Sequence, residues 1–178
     1  MISYTLFDTA IGWAGLAWND NGLVGAHLPE RDPDTARRSF VRRFPEAVET
    51  EAPVALGRVI AGIRALLRGE KADLCDAVLD LERVPAFNAQ VYAIARRIPP
   101  GETLTYGEIA AQLGDKLLAR DVGAALGQNP WPIIVPCHRV TAAGGKLGGF
   151  SARGGARTKL KLLAIEGAPA AAQAELFS

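Results

Sequence analysis

The sequence of 178 residues is poor in cysteine and histidine, with two residues of each type. Two cysteines, Cys75 and Cys137, are too few for a disulfide framework in a chain of this length, which favours a reducing, cytoplasmic setting. No CxxC motif is present and the histidines are His27 and His138, so a structural zinc site lacks ligands. Each thiol therefore needs an explanation of its own.

Long hydrophobic runs are also absent. No apolar run approaches the roughly 18 residues that a membrane-spanning helix needs, so we expect no membrane association. The N-terminal stretch is apolar-rich, but it has no basic start and carries Asp8, which favours a strand over a signal peptide. The charged fraction of 22% is typical of a globular protein.

The net charge of +1 hides a difference between the two halves of the chain. Residues 1–85 carry 10 basic and 13 acidic side chains, a net charge of −3. Residues 86–178 carry 10 basic and 6 acidic side chains, a net charge of +4. The second half is the one that a polyanion would approach, although the bias is too small to indicate nucleic acid by itself.

The first half shows the pattern of a small sheet with helices. Three alternating runs, at 3–8, 11–18 and 22–28, are separated by short turns and predict an antiparallel meander. Helical spacing follows at 34–44 and 54–67. A last strand is expected at Leu79, Leu81 and Val84, and the first domain is expected to end near Pro85.

The second half has a helical pattern. A helix is predicted over 86–97, and Thr105 with Glu108 forms the capping-box pattern of the next one. A further helix, over 118–127, follows after a tight turn, so the pair resembles a helix-turn-helix, although a plain αα-hairpin has the same spacing. The Ala-rich chain from about Ala168 onward is expected to fray.

The expected fold class is therefore α+β, with two domains. Residues 1–85 form a small antiparallel sheet with helices, and residues 86–178 form a helical domain with a winged-helix-like helix-turn-helix.

The stretch NPWPIIVPCHRV carries the candidate chemistry. The aliphatic residues 133–135 form a short buried run between prolines, and Pro136 favours the first turn of a helix. Cys137 is therefore predicted at a helix start, where free N–H groups and the helix dipole lower the pKa of a thiol. Such a thiolate would serve as a nucleophile, whereas the alternative is a small buried cysteine with a packing role.

A base for this cysteine is suggested by its neighbour, His138. Adjacent helical residues do not face each other, so proton transfer would need a bridging water. Glu166, at the end of an apolar helix, could orient the imidazole, although its spacing also fits an ordinary exposed glutamate. Between them, residues 141–155 hold six glycines and predict a mobile loop without a phosphate-binding motif.

These motifs together resemble one known family. The PCHRV motif, preceded by NP and an aliphatic run and followed by a Gly-rich loop and a KxxLLxxEG helix, resembles the O6-alkylguanine-DNA alkyltransferases over about residues 86–167. The resemblance implies DNA repair in which an alkyl group moves from O6 of guanine, with O4-alkylthymine left open as a second substrate, to a protein cysteine. It implies one turnover per molecule, no cofactor, double-stranded DNA containing O6-alkylguanine as the partner, and a monomeric protein.

The resemblance also assigns roles to the reacting groups. Cys137 corresponds to the nucleophile, His138 to the water-linked base and Glu166 to the carboxylate that orients this histidine. Tyr106 corresponds to the tyrosine that faces the target base and the phosphate backbone, and it could stabilise or protonate the leaving guanine.

A second set of positions corresponds to DNA and base contacts: Arg120, Gly123, Asn129, Phe150, Ser151 and Lys159. Arg120 would fill the stack when the nucleotide flips out, Gly123 would allow close approach to the minor groove, and Asn129 would brace the hinge beside the active helix. Phe150 and Ser151 would wall the guanine pocket. Phe150 stands where a tyrosine is frequent, and Asp121 places an acid beside Arg120.

Two other functions fit parts of the sequence. A helix-turn-helix protein could bind alkylated DNA without transfer, and a cysteine hydrolase could use Cys137, His138 and Glu166 as a triad. The mass of the protein after exposure to alkylated DNA separates the transferase from the binding protein. Many turnovers on an acyl substrate would indicate the hydrolase.

Overall fold

The computed structural model describes residues 1–150, 152 and 154–176, and it contains two compact units. The first unit comprises Met1–Arg83 and Pro130–Ile134, and the second comprises Val84–Asn129 and the chain from Val135 onward. The segment Pro130–Ile134 thus lies in the first unit, although the expected boundary near Pro85 assigned it to the second domain. Its anchor is Trp131, which is buried and whose Nε1 donates a 2.9 Å hydrogen bond to the carbonyl of Leu23.

The predicted meander is confirmed in the first unit. It consists of three strands, β1 (Ser3–Thr9), β2 (Gly12–Asn19) and β3 (Gly22–Glu30). β2 pairs antiparallel with both β1 and β3. A short strand that was not predicted, β4 (Val48–Glu49), pairs parallel to β1 and completes the order β3-β2-β1-β4. A strand of two exposed residues leaves no alternation in the sequence from which it could be predicted.

The helix α1 (Pro33–Arg43) begins at a well-defined cap. The carboxylate of Asp32 accepts a 2.8 Å hydrogen bond from the backbone N–H of Thr35, and Pro33 occupies the first turn. Phe40 is buried on its inner face and stacks on Tyr4 with ring centroids 5.0 Å apart. This stack fixes α1 against the sheet.

The second helix of this unit, α2 (Gly57–Leu67), follows a short 3₁₀ turn and buries Val59, Ile63, Leu66 and Leu67. The strand expected at Leu79, Leu81 and Val84 is not formed. Leu79 makes a single bridge to Leu23, whereas Leu81 is 45% exposed and pairs with nothing in the sheet. Three apolar residues near a proline were too little to predict a strand.

The second unit is mainly helical. Its helices are α3 (Ala86–Ala95), α4 (Tyr106–Gln112), α5 (Ala119–Gly127), α6 (Gly155–Ile165) and α7 (Pro169–Leu176). Two short strands, β5 (Leu104–Thr105) and β6 (Val140–Thr141), pair parallel. The chain from about Ala168 was expected to fray, but α7 forms over Pro169–Leu176, where Ala171 packs in a buried cluster with Ala168 and Leu163.

The start of α4 is fixed by the predicted capping box. The hydroxyl of Thr105 accepts a hydrogen bond from the N–H of Glu108 at 3.1 Å, and the carboxylate of Glu108 accepts one from the N–H of Thr105 at 2.6 Å. Tyr106 therefore stands at a defined position as the first residue of α4. A short 3₁₀ turn, Lys116–Leu118, connects α4 to α5.

The small α+β architecture agrees with the predicted fold class. Within the ranges that the structure describes, none of the helices has both the length and the apolar character needed to cross a membrane.

Candidate active site

Cys137 begins a three-residue 3₁₀ turn, Cys137–Arg139, and does not begin an α-helix. Its own N–H donates a 2.8 Å hydrogen bond to the carbonyl of Val135. Burial raises the pKa of the thiol, and the hydrogen bond from Asn129 and the charge of Lys159 oppose this rise without cancelling it. The expected lowering of the pKa is therefore wrong. A single short turn offers too few aligned dipoles to offset desolvation, and the resting group is a thiol.

Cys137 lines the wall of a cavity of about 530 Å³. The cavity brings together several residues that are far apart in sequence: Tyr106, Ala119, Arg120, Gly123, Leu126, Gly127, Cys137, Gly149 and Phe150. Five of the predicted site residues, Tyr106, Arg120, Gly123, Cys137 and Phe150, thus surround one space. Most of the other lining atoms belong to small or apolar residues, so the cavity suits a flat, largely apolar group.

Behind Cys137, a buried imidazole is paired with a buried carboxylate. The side chain of His138 is 1% exposed, and its Nε2 lies 2.8 Å from Oε1 of Glu166. Burial lowers the pKa of His138 despite the opposing effect of Glu166, so the ring is neutral at pH 7. Since the carboxylate can only accept, Nε2 carries the proton. The other ring nitrogen, Nδ1, has no hydrogen-bond partner among the described residues and keeps its lone pair.

The carboxylate of Glu166 is held by a second partner, Arg139. The guanidinium of Arg139 donates hydrogen bonds to Oε2 at 3.0 Å and to Oε1 at 2.7 Å, and its Nη1 donates to the carbonyl of Ile98 at 2.7 Å. Burial raises the pKa of Glu166, but the hydrogen bonds from His138 and Arg139 outweigh it and lower the pKa to about 2. Glu166 is therefore ionised at any pH near neutrality.

Sequence reasoning did not assign a role to Arg139. One signal could have revealed it. Arg139 follows closely on the aliphatic residues 133–135, and a charged residue in such a segment must be paired if it is buried.

Lys159 lies on the other side of the cysteine and is fully buried. Its Nζ donates hydrogen bonds to the carbonyls of Val140 at 2.5 Å and Gly149 at 3.2 Å, and it lies 3.5 Å from the hydroxyl of Tyr106. Burial lowers its pKa to about 8, although a negative charge on Cys137 would raise it. The resemblance placed Lys159 among the DNA contacts. In the structure it points inward and has no exposed surface with which to meet DNA.

The Gly-rich loop is fixed to α4 through Tyr106. The Tyr106 hydroxyl donates a 3.3 Å hydrogen bond to the carbonyl of Gly149. Gly148 has a φ of +76°, and a Cβ at this residue would lie 2.7 Å from the Tyr106 ring. Only glycine therefore fits there. Phe150 follows as a half-buried wall of the cavity, whereas Ser151, the other predicted wall residue, lies outside the described residues.

The remaining predicted residues lie on α5 and directly after it. Arg120 is exposed at the rim of the cavity, and Asp121 beside it is also exposed. Asn129 is half-buried, and its Nδ2 donates a 2.8 Å hydrogen bond to the carbonyl of Val135. Within the described ranges, no three His, Cys, Asp or Glu side chains come together in a way that could hold a metal ion.

Fold and site together define an α+β protein with a cysteine in a cavity wall, next to a buried His–Glu pair. The family described as 6-O-methylguanine DNA methyltransferase, DNA binding domain, matches residues 86–168. A methylated-DNA–protein-cysteine methyltransferase of Mycolicibacterium paratuberculosis is 38% identical over 177 residues, which cover 99% of each chain. A DNA base-flipping protein of Thermus thermophilus is 39% identical over 139 residues, 78% of this chain and 91% of that protein.

Among solved structures, OGT of Mycobacterium tuberculosis in complex with DNA superimposes with a TM-score of 0.71 and 35% identity. The match covers 97% of this chain and 98% of that one. The chain therefore belongs to the methylated-DNA–protein-cysteine methyltransferase family, and the resemblance seen in the sequence is confirmed.

The depressed pKa of Glu166 predicts a specific loss of stability in acid. The pKa falls from 4.5 to about 2 on folding. The pair interactions of Glu166 thus contribute to the free energy of unfolding above pH 4.5, on the order of 3 kcal/mol. This contribution is lost as the pH falls from 4.5 towards 2. Urea unfolding across this range should show a shallower dependence on pH for Glu166→Gln than for the wild type.

The control for this experiment is Glu51→Gln, which changes an exposed glutamate of the first unit. This variant should keep the wild-type pH dependence. Parallel curves for Glu166→Gln and the wild type would contradict the assignment of a buried, ionised Glu166.

Proposed function

We propose that this protein repairs alkylated DNA by moving an alkyl group from O6 of guanine in duplex DNA to Cys137, once per molecule. One observation carries the proposal, namely a cysteine in the wall of a cavity large enough to admit a nucleobase, with a neutral, buried histidine next to it in the chain. A cavity of about 530 Å³ lies within the range of small-molecule sites.

The first step is the loss of the thiol proton. Because the resting thiol has a raised pKa, attack requires a base. The lone pair on Nδ1 of His138 accepts the proton through one water, and the imidazolium that results is stabilised by Glu166. The charge of Lys159 stabilises the thiolate at the moment when it forms.

The second step is an in-line displacement at the alkyl carbon. A bond forms between this carbon and the sulfur of Cys137, and the bond to O6 breaks with its electron pair moving to guanine. The hydroxyl of Tyr106 or a backbone N–H stabilises or protonates the leaving base. The product is a thioether, which none of these groups can cleave, so the protein is consumed. The reaction needs only a thiol and the alkylated base.

The helices α4 and α5 form the DNA-binding helix-turn-helix in this proposal. Small residues of α5, including Gly123, permit close approach to the minor groove, and the alkylated nucleotide flips out of the stack into the cavity. Arg120, exposed at the rim, fills the space that the base leaves and contacts phosphate. Asp121 beside it weakens phosphate contacts by repulsion.

The protein acts as a monomer on double-stranded DNA containing O6-alkylguanine, in the cytoplasm. Neither Cys75 nor Cys137 is in a disulfide, which fits this reducing compartment, since a stoichiometric acceptor must keep its cysteine reduced until it meets damage.

Substitution of Cys137 tests the nucleophile directly. Incubation with an oligonucleotide that contains O6-methylguanine should add the mass of one methyl group to the wild type, located on Cys137. The Cys137→Ala variant should gain no mass and should still bind the DNA, because the thiol contributes little contact area. Cys75→Ala is the matched control and should react like the wild type. Label on Cys137→Ala, or unlabelled wild type, would refute the proposal.

Substitution of Arg120 tests base flipping. Arg120→Ala should slow transfer from duplex DNA by about ten-fold, since stacking on a base contributes about 1–3 kcal/mol. Reaction with free O6-alkylguanine should change little, because a free base leaves no gap in a DNA duplex for Arg120 to fill. Arg58→Ala, at an exposed position of the first unit, is the control. Equal slowing on both substrates would exclude the flipping role.

A further inference from the structure

Two buried polar side chains on α3 have no part in the mechanism described so far. Asn88 and Tyr92 are 8% and 2% exposed, and they lie four positions apart, so both face the same side of the helix. Buried polar groups need partners, and the identity of those partners indicates what the groups hold in place.

Both side chains bind the end of α5. The hydroxyl of Tyr92 donates a 2.7 Å hydrogen bond to the carbonyl of Ala125, which lies in the last turn of that helix. Nδ2 of Asn88 donates a 3.0 Å hydrogen bond to Oε1 of Gln128, the residue that caps the same helix. Asn88 also forms a hydrogen bond with Tyr92, which makes the pair one network. The carbonyl end of α5 is thus held by α3.

From this end, a short path leads to the reactive sulfur. Asn129 directly follows Gln128, and its side chain binds the carbonyl of Val135 at 2.8 Å. The N–H of Cys137 donates to the same carbonyl, also at 2.8 Å, and Asn129 forms a hydrogen bond with the thiol. Burial raises the pKa of Tyr92, its hydrogen bond with Asn88 opposes this, and a negative charge at Cys137 raises the pKa further. The network thus lies within electrostatic reach of the sulfur.

We propose that Asn88 and Tyr92 are positioning residues for alkyl transfer. They hold the end of α5 and thereby keep Asn129 within hydrogen-bond distance of the Cys137 thiol. This inference rests on the proposed function of Cys137. Neither side chain lines the cavity, so neither touches the alkylated base. Their effect is on the orientation of the sulfur, to which displacement reactions are sensitive.

The test is Tyr92→Phe, which removes one hydroxyl and keeps the ring that fills the core. The rate constant of transfer at saturating O6-methylguanine duplex should fall roughly five-fold, whereas the dissociation constant for DNA should stay within about two-fold of the wild type. Transfer is followed by single-turnover kinetics, normalised to the fraction of protein that can be methylated. An unchanged rate constant, or a loss that lies entirely in DNA binding, overturns the inference.

Tyr4→Phe is the matched control. Tyr4 is 3% exposed and its hydroxyl donates a 3.2 Å hydrogen bond to Glu49 in the first unit, so this variant also loses one hydrogen bond of a buried tyrosine. It should transfer alkyl groups at the wild-type rate. Equal slowing of Tyr4→Phe and Tyr92→Phe would show a general effect of lost stability and would overturn the positioning role.

A double variant tests whether the two residues act through the same helix end. If they do, Asn88→Ala combined with Tyr92→Phe should slow transfer by less than the product of the two single effects. A loss equal to the product overturns the shared route.

Methylation of the wild type distinguishes a failure of this inference from a failure of the proposed function. A wild type that takes up no methyl group refutes the proposed function. A methylated wild type with an equally fast Tyr92→Phe refutes only the positioning role.

Discussion

The buried carboxylate of Glu166 is the constraint on which the site depends. An ionised carboxylate with 6% side-chain exposure is stable only when it is paired, and here it has two partners, His138 and Arg139. Arg139 also binds the carbonyl of Ile98, just beyond α3, while Glu166 itself caps the end of α6. One buried charge thus joins the turn that carries the cysteine to two separate parts of the second unit. Removal of one partner would leave an unpaired buried charge, which costs about 3–5 kcal/mol.

The same burial sets the protonation states around the sulfur. Desolvation raises the pKa of the Cys137 thiol and lowers the pKa of His138, so at rest the sulfur is protonated and the imidazole is neutral. Desolvation also lowers the pKa of Lys159, but only to about 8, so this side chain keeps its charge at pH 7. In the proposed function, the thiol becomes a strong nucleophile only when its proton passes to the neutral imidazole. Because Cys137 reacts only once, this arrangement keeps it as an unreactive thiol until an alkylated guanine enters the cavity.

The sequence allowed part of this structure to be predicted. The alternation in β1 to β3 and the Thr105–Glu108 cap of α4 are local patterns, and the structure confirms both. The predicted direction of the pKa shift of Cys137 was wrong, because desolvation depends on residues from distant parts of the chain. For the same reason the inward orientation of Lys159 and the pairing of Arg139 could not be read locally. The placement of Pro130–Ile134 in the first unit depends on Trp131 reaching the carbonyl of Leu23, a contact that no sequence period indicates.

The proposed reaction depends on His138 being a neutral imidazole with its proton on Nε2 and a free lone pair on Nδ1. Nitrogen-15 NMR of the histidine side chains at pH 7, with His27→Gln used to assign the two rings, measures this directly. The His138 signals should have the shifts of the neutral Nε2–H tautomer. Signals of an imidazolium, or of the tautomer protonated on Nδ1, would contradict this assignment, since neither form has a lone pair on Nδ1 to accept the thiol proton.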